Sequence, residues 1–326
     1  MNPKLLTCAV AFLTFARMAG VPAASLDTVV LDIPVQSSAR SASDLSYVTD
    51  DEGNVSGPAD FAISGHAVYL LNTAQNCILR YQDGVLSDTI PLNGVHATHI
   101  AQDGTSLYLI SSDLGLYRCS ETGELTDLSD LSGAFDETIT GFQAADGLGF
   151  LTTPDGVHGT TYEFELPITQ SADVTQTMRA VEGIRFDTDI YYYYDEGDPD
   201  QTFSKEAVLT VYNQATGAQD TIEISSDSYL GAIQYLGRSA ENHVVIRLEE
   251  ITQDADYKIK TAQRIWILSG DADHTLLAVR DVEPQELYIN EPFRFYDGAI
   301  YQLNTARARV QVLKIASDLA PNGGID

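Results

Sequence analysis

The chain has 326 residues, 44% of them hydrophobic, and sets 18 Lys and Arg against 47 Asp and Glu for a formal net charge of −29. An acidic excess of this size repels phosphate backbones and anionic membrane surfaces, so nucleic acid is excluded as an expected partner. No Gly/Ser or Pro linker divides the chain, and a single domain with a large core is expected.

Lys4 is followed by an apolar run from Leu5 to Ala16 and by the small residues Val21-Pro22-Ala23-Ala24. That order is the layout of a secretory signal peptide. Arg17 interrupts the apolar run, which is also too short to span a bilayer, so residues 1–24 are expected to be cleaved, with no membrane insertion afterwards. Loss of Lys4 and Arg17 takes the net charge from −29 to −31, and the mature chain is expected to be secreted or to reside in the periplasm or cell envelope. Cys8 leaves with the signal, while Cys77 and Cys119 remain and permit one disulfide or two buried thiols. Gln36 to Asp44 and residues 317–326 are polar stretches without strand patterning, the second of them an expected disordered tail.

From Thr28 onward, short alternating runs rich in Val, Ile, Tyr and Thr recur between Gly, Asp and Asn turn signals, which places the chain in the all-β class. Ala67-Val68-Tyr69-Leu70-Leu71-Asn72-Thr73-Ala74 returns as Ala299-Ile300-Tyr301-Gln302-Leu303-Asn304-Thr305-Ala306, with six of eight positions identical. A large apolar residue stands eight positions before an aromatic in Phe61/Tyr69, Ile100/Tyr108, Phe142/Phe150, Ile184/Tyr192 and Phe293/Tyr301. Ile233 to Val245 is a stretched copy with a longer turn.

The second members of these pairs follow one another at 39, 42, 42, 53 and 56 residues, a period that fits four strands per repeat. The two long intervals contain acidic insertions, Asp195 to Lys205 and Glu249 to Thr261, which are expected in hairpin loops. The last unit ends at Ile315 with three strands, and Thr28-Val29-Val30-Leu31-Asp32-Ile33-Pro34 is free to supply the fourth. The spacing predicts a six-bladed β-propeller of four-stranded antiparallel blades over residues 25–316, its ring closed by the N-terminal strand.

Gly57-Pro58-Ala59-Asp60-Phe61-Ala62-Ile63 followed by Val68 to Ile78 resembles the NHL-type propeller repeat, and the final unit, with Asn304 and Arg309-Val310, is similar to it. The family usually has Asp where Asn72 and Asn304 stand and Arg where Cys77 stands, whereas Arg309 keeps that Arg. What the resemblance implies is an architecture shared by protein- and RNA-binding modules, carbohydrate-associated surface proteins, lyases and relatives of metal-dependent lactonases.

A lactonase-like channel needs several carboxylates on its inner strands, and the register just after each apolar anchor holds Ala62, Ala101, Gln143, Arg185, Gln234 and Arg294 instead. Gln143, Arg185, Gln234 and Arg294 are the candidate ligand-binding residues, since two guanidiniums suit an anionic or carboxylate-bearing ligand. The alternative is that each Arg pairs with a neighbouring acid, Glu182 or Glu291. Asp195, Asp198 and Asp200 place oxygen ligands closely in one loop, a candidate calcium site, although the run lacks the Gly and late Glu of an EF-hand and also reads as a solvated turn. Tyr191-Tyr192-Tyr193-Tyr194 offers rings either for stacking on a sugar or peptide or for packing between blades.

The sequence therefore leads to an exported, non-catalytic binding propeller for a protein, peptide or glycan, monomeric and with no required cofactor. The alternative is a metal-dependent hydrolase or lyase of the lactonase-like kind, which needs at least three of Asp60, Glu182, Glu291, Asn72 and Asn304 to converge.

Overall fold

Asp146-Gly147 and Asp297-Gly298 both have positive φ at two successive residues, the backbone of a tight turn whose twist matches that of the flanking strands. Such turns join the first two strands of a blade and explain why the eight-residue spacing recurs: Phe142 lies opposite Leu151 and Phe61 opposite Leu70, both pairs buried. In the computed structural model, residues 27–315 are described except 39, 40, 42, 54, 121, 136–138, 155–157, 167–176, 197–203, 240, 254–257, 284, 286, 288, 290 and 291. Residues 1–24, the expected signal peptide, and 317–326, the expected disordered tail, lie outside them.

Six four-stranded antiparallel sheets form the blades. Blade 1 runs through Pro58–Ser64, Ala67–Asn72, Cys77–Gln82 and Val85–Pro91, and blade 2 through Ala97–Asp103, Ser106–Ser111, Gly115–Cys119 and Leu125–Asp130. Blade 3 comprises Gly141–Ala145, Leu148–Thr153, Thr160–Glu165 and Arg179–Glu182, and blade 4 comprises Ile184–Asp187, Ile190–Glu196, Glu206–Asn213 and Gln219–Ser225. Blade 5 has Tyr229–Arg238, Val244–Gln253, Ile259–Leu268 and Leu276–Asp281. Phe293–Tyr296, Ala299–Ala306 and Arg309–Ile315 make up blade 6 with Thr28–Pro34, which pairs antiparallel to Arg309–Ile315 from Thr28 opposite Lys314 to Pro34 opposite Arg309.

The closing strand is anchored on both sides. Leu31, buried, joins Phe61, Leu70, Leu303 and Val312 in the apolar layer between blades 6 and 1, and Asp27 receives a 2.8 Å bond from Arg280 on the outer strand of blade 5. Similar layers separate blades 1 and 2, 2 and 3, 4 and 5, and 5 and 6. Thr73 and Thr305 of the duplicated segment donate their hydroxyls to the carbonyls of Gly57 and Leu287 in the chain that leads into each blade. The repeated Asn-Thr is thus a structural clasp.

One expectation is corrected, and the two open readings of the cysteines are decided. Glu249 to Thr261 is not wholly a loop: the strands continue to Gln253 and resume at Ile259, pairing as two ten-residue strands whose outer ends project past the core, with Ile259 63% exposed. Cys77 and Cys119 are buried and form no disulfide, because Cys77 sits in the layer between blades 6 and 1 while Cys119 sits in the layer on the other face of blade 1. Burial pushes both thiols up to about 11, which keeps them protonated and unreactive. No described helix is long and apolar enough to cross a membrane.

Candidate functional site at the channel

The first strand of each blade is innermost, and the later halves of five of these strands surround a cavity of about 100 Å³ lined by Ala62, Ala101, Gln143, Arg185, Arg294 and the aromatic rings of Phe186, Phe295 and Tyr296. A recess of about 20 Å³ beside it adds Gln234 to Gln143, Arg185 and Arg294. All four polar residues singled out in the sequence therefore face the channel. The cavity lies in the half nearest the turns that join first to second strands.

The two guanidiniums differ. Arg294 Nη2 bonds Asp60 Oδ1 at 2.7 Å, and the same buried carboxylate accepts the backbone N–H groups of Phe61 and Ile100 at 2.7 and 2.9 Å. Burial pushes the Asp60 carboxyl up, against the pull of Arg294 and the two amides. This one acid ties blades 6, 1 and 2 together.

Arg185 is only 6% exposed, yet among the described residues it forms no ion pair within 4 Å. Its Nη1 donates to Gln143 Oε1 at 2.8 Å, its guanidinium lies 3.8 Å from the centre of the Phe150 ring, and its Nε is buried without a hydrogen-bond partner. Burial draws its pKa below the usual arginine value, with Tyr191, Asp187, Glu163 and Asp146 opposing the shift from a distance. The expected pairing with Glu182 is absent because Glu182 is taken by His158, and Glu291 lies outside the described residues. A buried cation held by a neutral amide and a ring is a poor structural brace and a ready anion receptor.

The Phe186 ring borders both cavities and packs against Tyr235 and Phe295, with ring centres 4.9 Å apart in each case. It fits because residue 237 is glycine: φ is +104°, and a Cβ there would stand 2.6 Å from the Phe186 ring. Gly237→Ala is expected to lower unfolding stability by about 2 kcal/mol, measured by chemical denaturation, since both the backbone and the ring must move.

Blades 3 and 4 meet without one of the apolar layers found elsewhere among the described residues. Glu163 is buried between Tyr191 and Arg179 and bonds both, while Thr161 Oγ1 donates to Gly183 O at 2.8 Å. Tyr191 stacks on Tyr212 and Tyr193 on His158, whereas Tyr192 and Tyr194 join the layer toward blade 5, so all four tyrosines of the run are used in packing between blades.

At the edge of this joint, His158 Nδ1 lies 2.6 Å from Glu182 Oε1 and its Nε2 lies 2.7 Å from Asp195 Oδ1. Burial lowers the His158 pKa, but the two carboxylates outweigh it and the net direction is upward from 6.5. Both bonds need the doubly protonated ring, so their stabilisation is complete below the unfolded pKa and is lost as pH rises through the raised folded value. His158→Gln is therefore expected to lower Tm more at about pH 5.5 than at about pH 9, with thermal melts at both as the check.

Asp195 is thereby committed to histidine, and Asp198 and Asp200 lie outside the described residues. The described members of the lactonase-like set take separate partners: Asp60 holds Arg294, Glu182 holds His158, Asn72 donates to Gln75, and Asn304 donates to Glu283. No group of three or more His, Cys, Asp or Glu among the described residues is arranged to hold a metal ion.

No family model matches the sequence, and no curated protein matches it. Solved structures that align with it include YCF48 bound to D1 peptide, at 10% identity and a TM-score of 0.46 over 89% of this chain and 99% of that one. BamB from Moraxella catarrhalis aligns at 11% identity and a TM-score of 0.39 over 89% and 100% of the two chains. The WD40 propeller domain of Doa1 aligns at 10% and 0.40 over 89% and 94%. The chain is itself a six-bladed propeller, with a polar joint between its third and fourth blades and a buried cation, Arg185, among the residues that line its channel.

Proposed function

We propose that this chain is an exported, non-catalytic, monomeric propeller of NHL-like kind, freed of residues 1–24, which binds a protein or peptide ligand by drawing an anionic group of that ligand into the channel cavity. The observation that carries the reading is Arg185, a channel-lining residue whose charge is buried and whose Nε has no hydrogen-bond partner. A fold pays a desolvation cost for such a group, and a ligand carboxylate recovers it through a charge-assisted bond. The reading requires no cofactor. Peptide is favoured over glycan because a neutral sugar brings no charge to Arg185, and the tyrosine run that would stack on a sugar is used between blades. The surface charge of −31 keeps nucleic acid and anionic membranes away.

The test is equilibrium dialysis of the protein against a random hexapeptide pool, read by mass spectrometry. A subset of peptides should be retained with unchanged masses, and Arg185→Met should release them. Retention that is indifferent to Arg185, or peptides returned with altered masses, would contradict the reading.

A further inference from the structure

We infer that the group received by the channel is the free carboxyl end of a peptide chain, a reading that rests on the binding role proposed above and specifies its ligand. Arg185 and Gln234 each carry a buried polar atom with no hydrogen-bond partner: Arg185 Nε, a charged donor, and Gln234 Oε1, an acceptor. Both residues line the same recess. An occupant that satisfies both presents an anionic acceptor and a donor.

A chain terminus has this pair built in, because its carboxylate is separated from the amide N–H of the last residue by a single carbon. A phosphate or sulfate ester brings acceptors without the donor. An acidic side chain has its carboxylate one or two methylenes further from the nearest backbone N–H.

The charges agree with a monoanion. Arg294 is already neutralised by Asp60 at 2.7 Å, so Arg185 is the cation left to the ligand, and Asp187 on the wall of the outer cavity adds a repulsion that a dianion would feel more strongly. The dimensions agree as well. A cavity of about 100 Å³ beside a recess of about 20 Å³ suits one terminal residue, whose side chain would meet Phe186 and Phe295.

The decisive experiment uses the random hexapeptide pool in two forms, with free carboxyl termini and with amidated termini, each dialysed against wild type, Arg185→Met and Gln234→Leu. Both pools contain the same aspartates and glutamates, so they differ only at the chain end. Wild type should retain the free acids about tenfold over the amides, Arg185→Met should abolish the preference, and Gln234→Leu should weaken retention of the free acids severalfold. Equal retention of both pools by wild type would overturn the chain-end inference and leave the binding role standing. Retention of neither pool would overturn the binding role itself. The wild-type comparison involves no substitution, so it stands even if a variant folds poorly.

Discussion

Arg185→Met is expected to lose roughly thirtyfold in ligand affinity while unfolding within about 1 kcal/mol of the wild-type protein. The first number follows from removing a charge-assisted bond, worth about 2 kcal/mol, from a site whose other cation, Arg294, is already paired with Asp60. The second follows from what Arg185 does in the unliganded fold. It is desolvated, its Nε is unpaired, and its only described side-chain hydrogen bond is to a neutral amide, Gln143. Methionine keeps the apolar contact with Phe150 and removes the cost of burying charge, so loss of one amide bond is nearly offset. Calorimetric titration with a retained peptide and a denaturant melt of the same preparation check both halves. A large fall in stability would mean that Arg185 is a brace for the joint between blades 3 and 4.

Removal of Thr28–Pro34 is expected to have the largest effect on the fold. It would expose the whole edge of Arg309–Ile315 and open the apolar layer around Leu31, Leu303, Val310 and Val312. A closed ring converts its weakest edge into a paired one, and an opened ring offers that edge to other chains. Deletion should abolish the cooperative melt followed by circular dichroism and yield aggregates on size-exclusion chromatography. The single substitution Leu31→Ala should cost about 3 kcal/mol through the cavity it leaves. A deletion variant that stays monomeric with an unchanged Tm would refute closure by this strand.

The six-fold architecture was legible because hairpin geometry writes itself into spacing. Phe61/Tyr69 and Phe293/Tyr301 mark the same two-strand unit at both ends of the chain, and the unpaired Thr28–Pro34 segment had one place to go. The register of Gln143, Arg185, Gln234 and Arg294 was legible for the same reason, since residues at one position of six equivalent strands must face one channel.

Their partners were not legible. Asp60 reaches Arg294 across 234 residues of sequence, and nothing in the segment Pro58–Ser64 distinguishes it from a solvated acid. The polar joint was hidden because Thr160–Glu165 alternates in the same way as a strand with one wet face, while the wet face in fact meets blade 4 at Glu163 and Thr161. Glu249 to Thr261 looked like a loop because the outer half of its hairpin has no core to alternate against. His158, Glu182 and Asp195 come from three separate segments of blades 3 and 4, and only the fold brings them together.

The most direct measurement is the side-chain N–H spectrum of protein carrying ¹⁵N-labelled arginine, recorded as a retained free-acid peptide is titrated in. The Arg185 Nε–H signal, assigned by its absence from Arg185→Lys, should shift downfield in a saturable manner as its unused donor engages the carboxylate. A peptide that binds while this signal stays where it was would place the ligand elsewhere on the propeller and contradict the channel site.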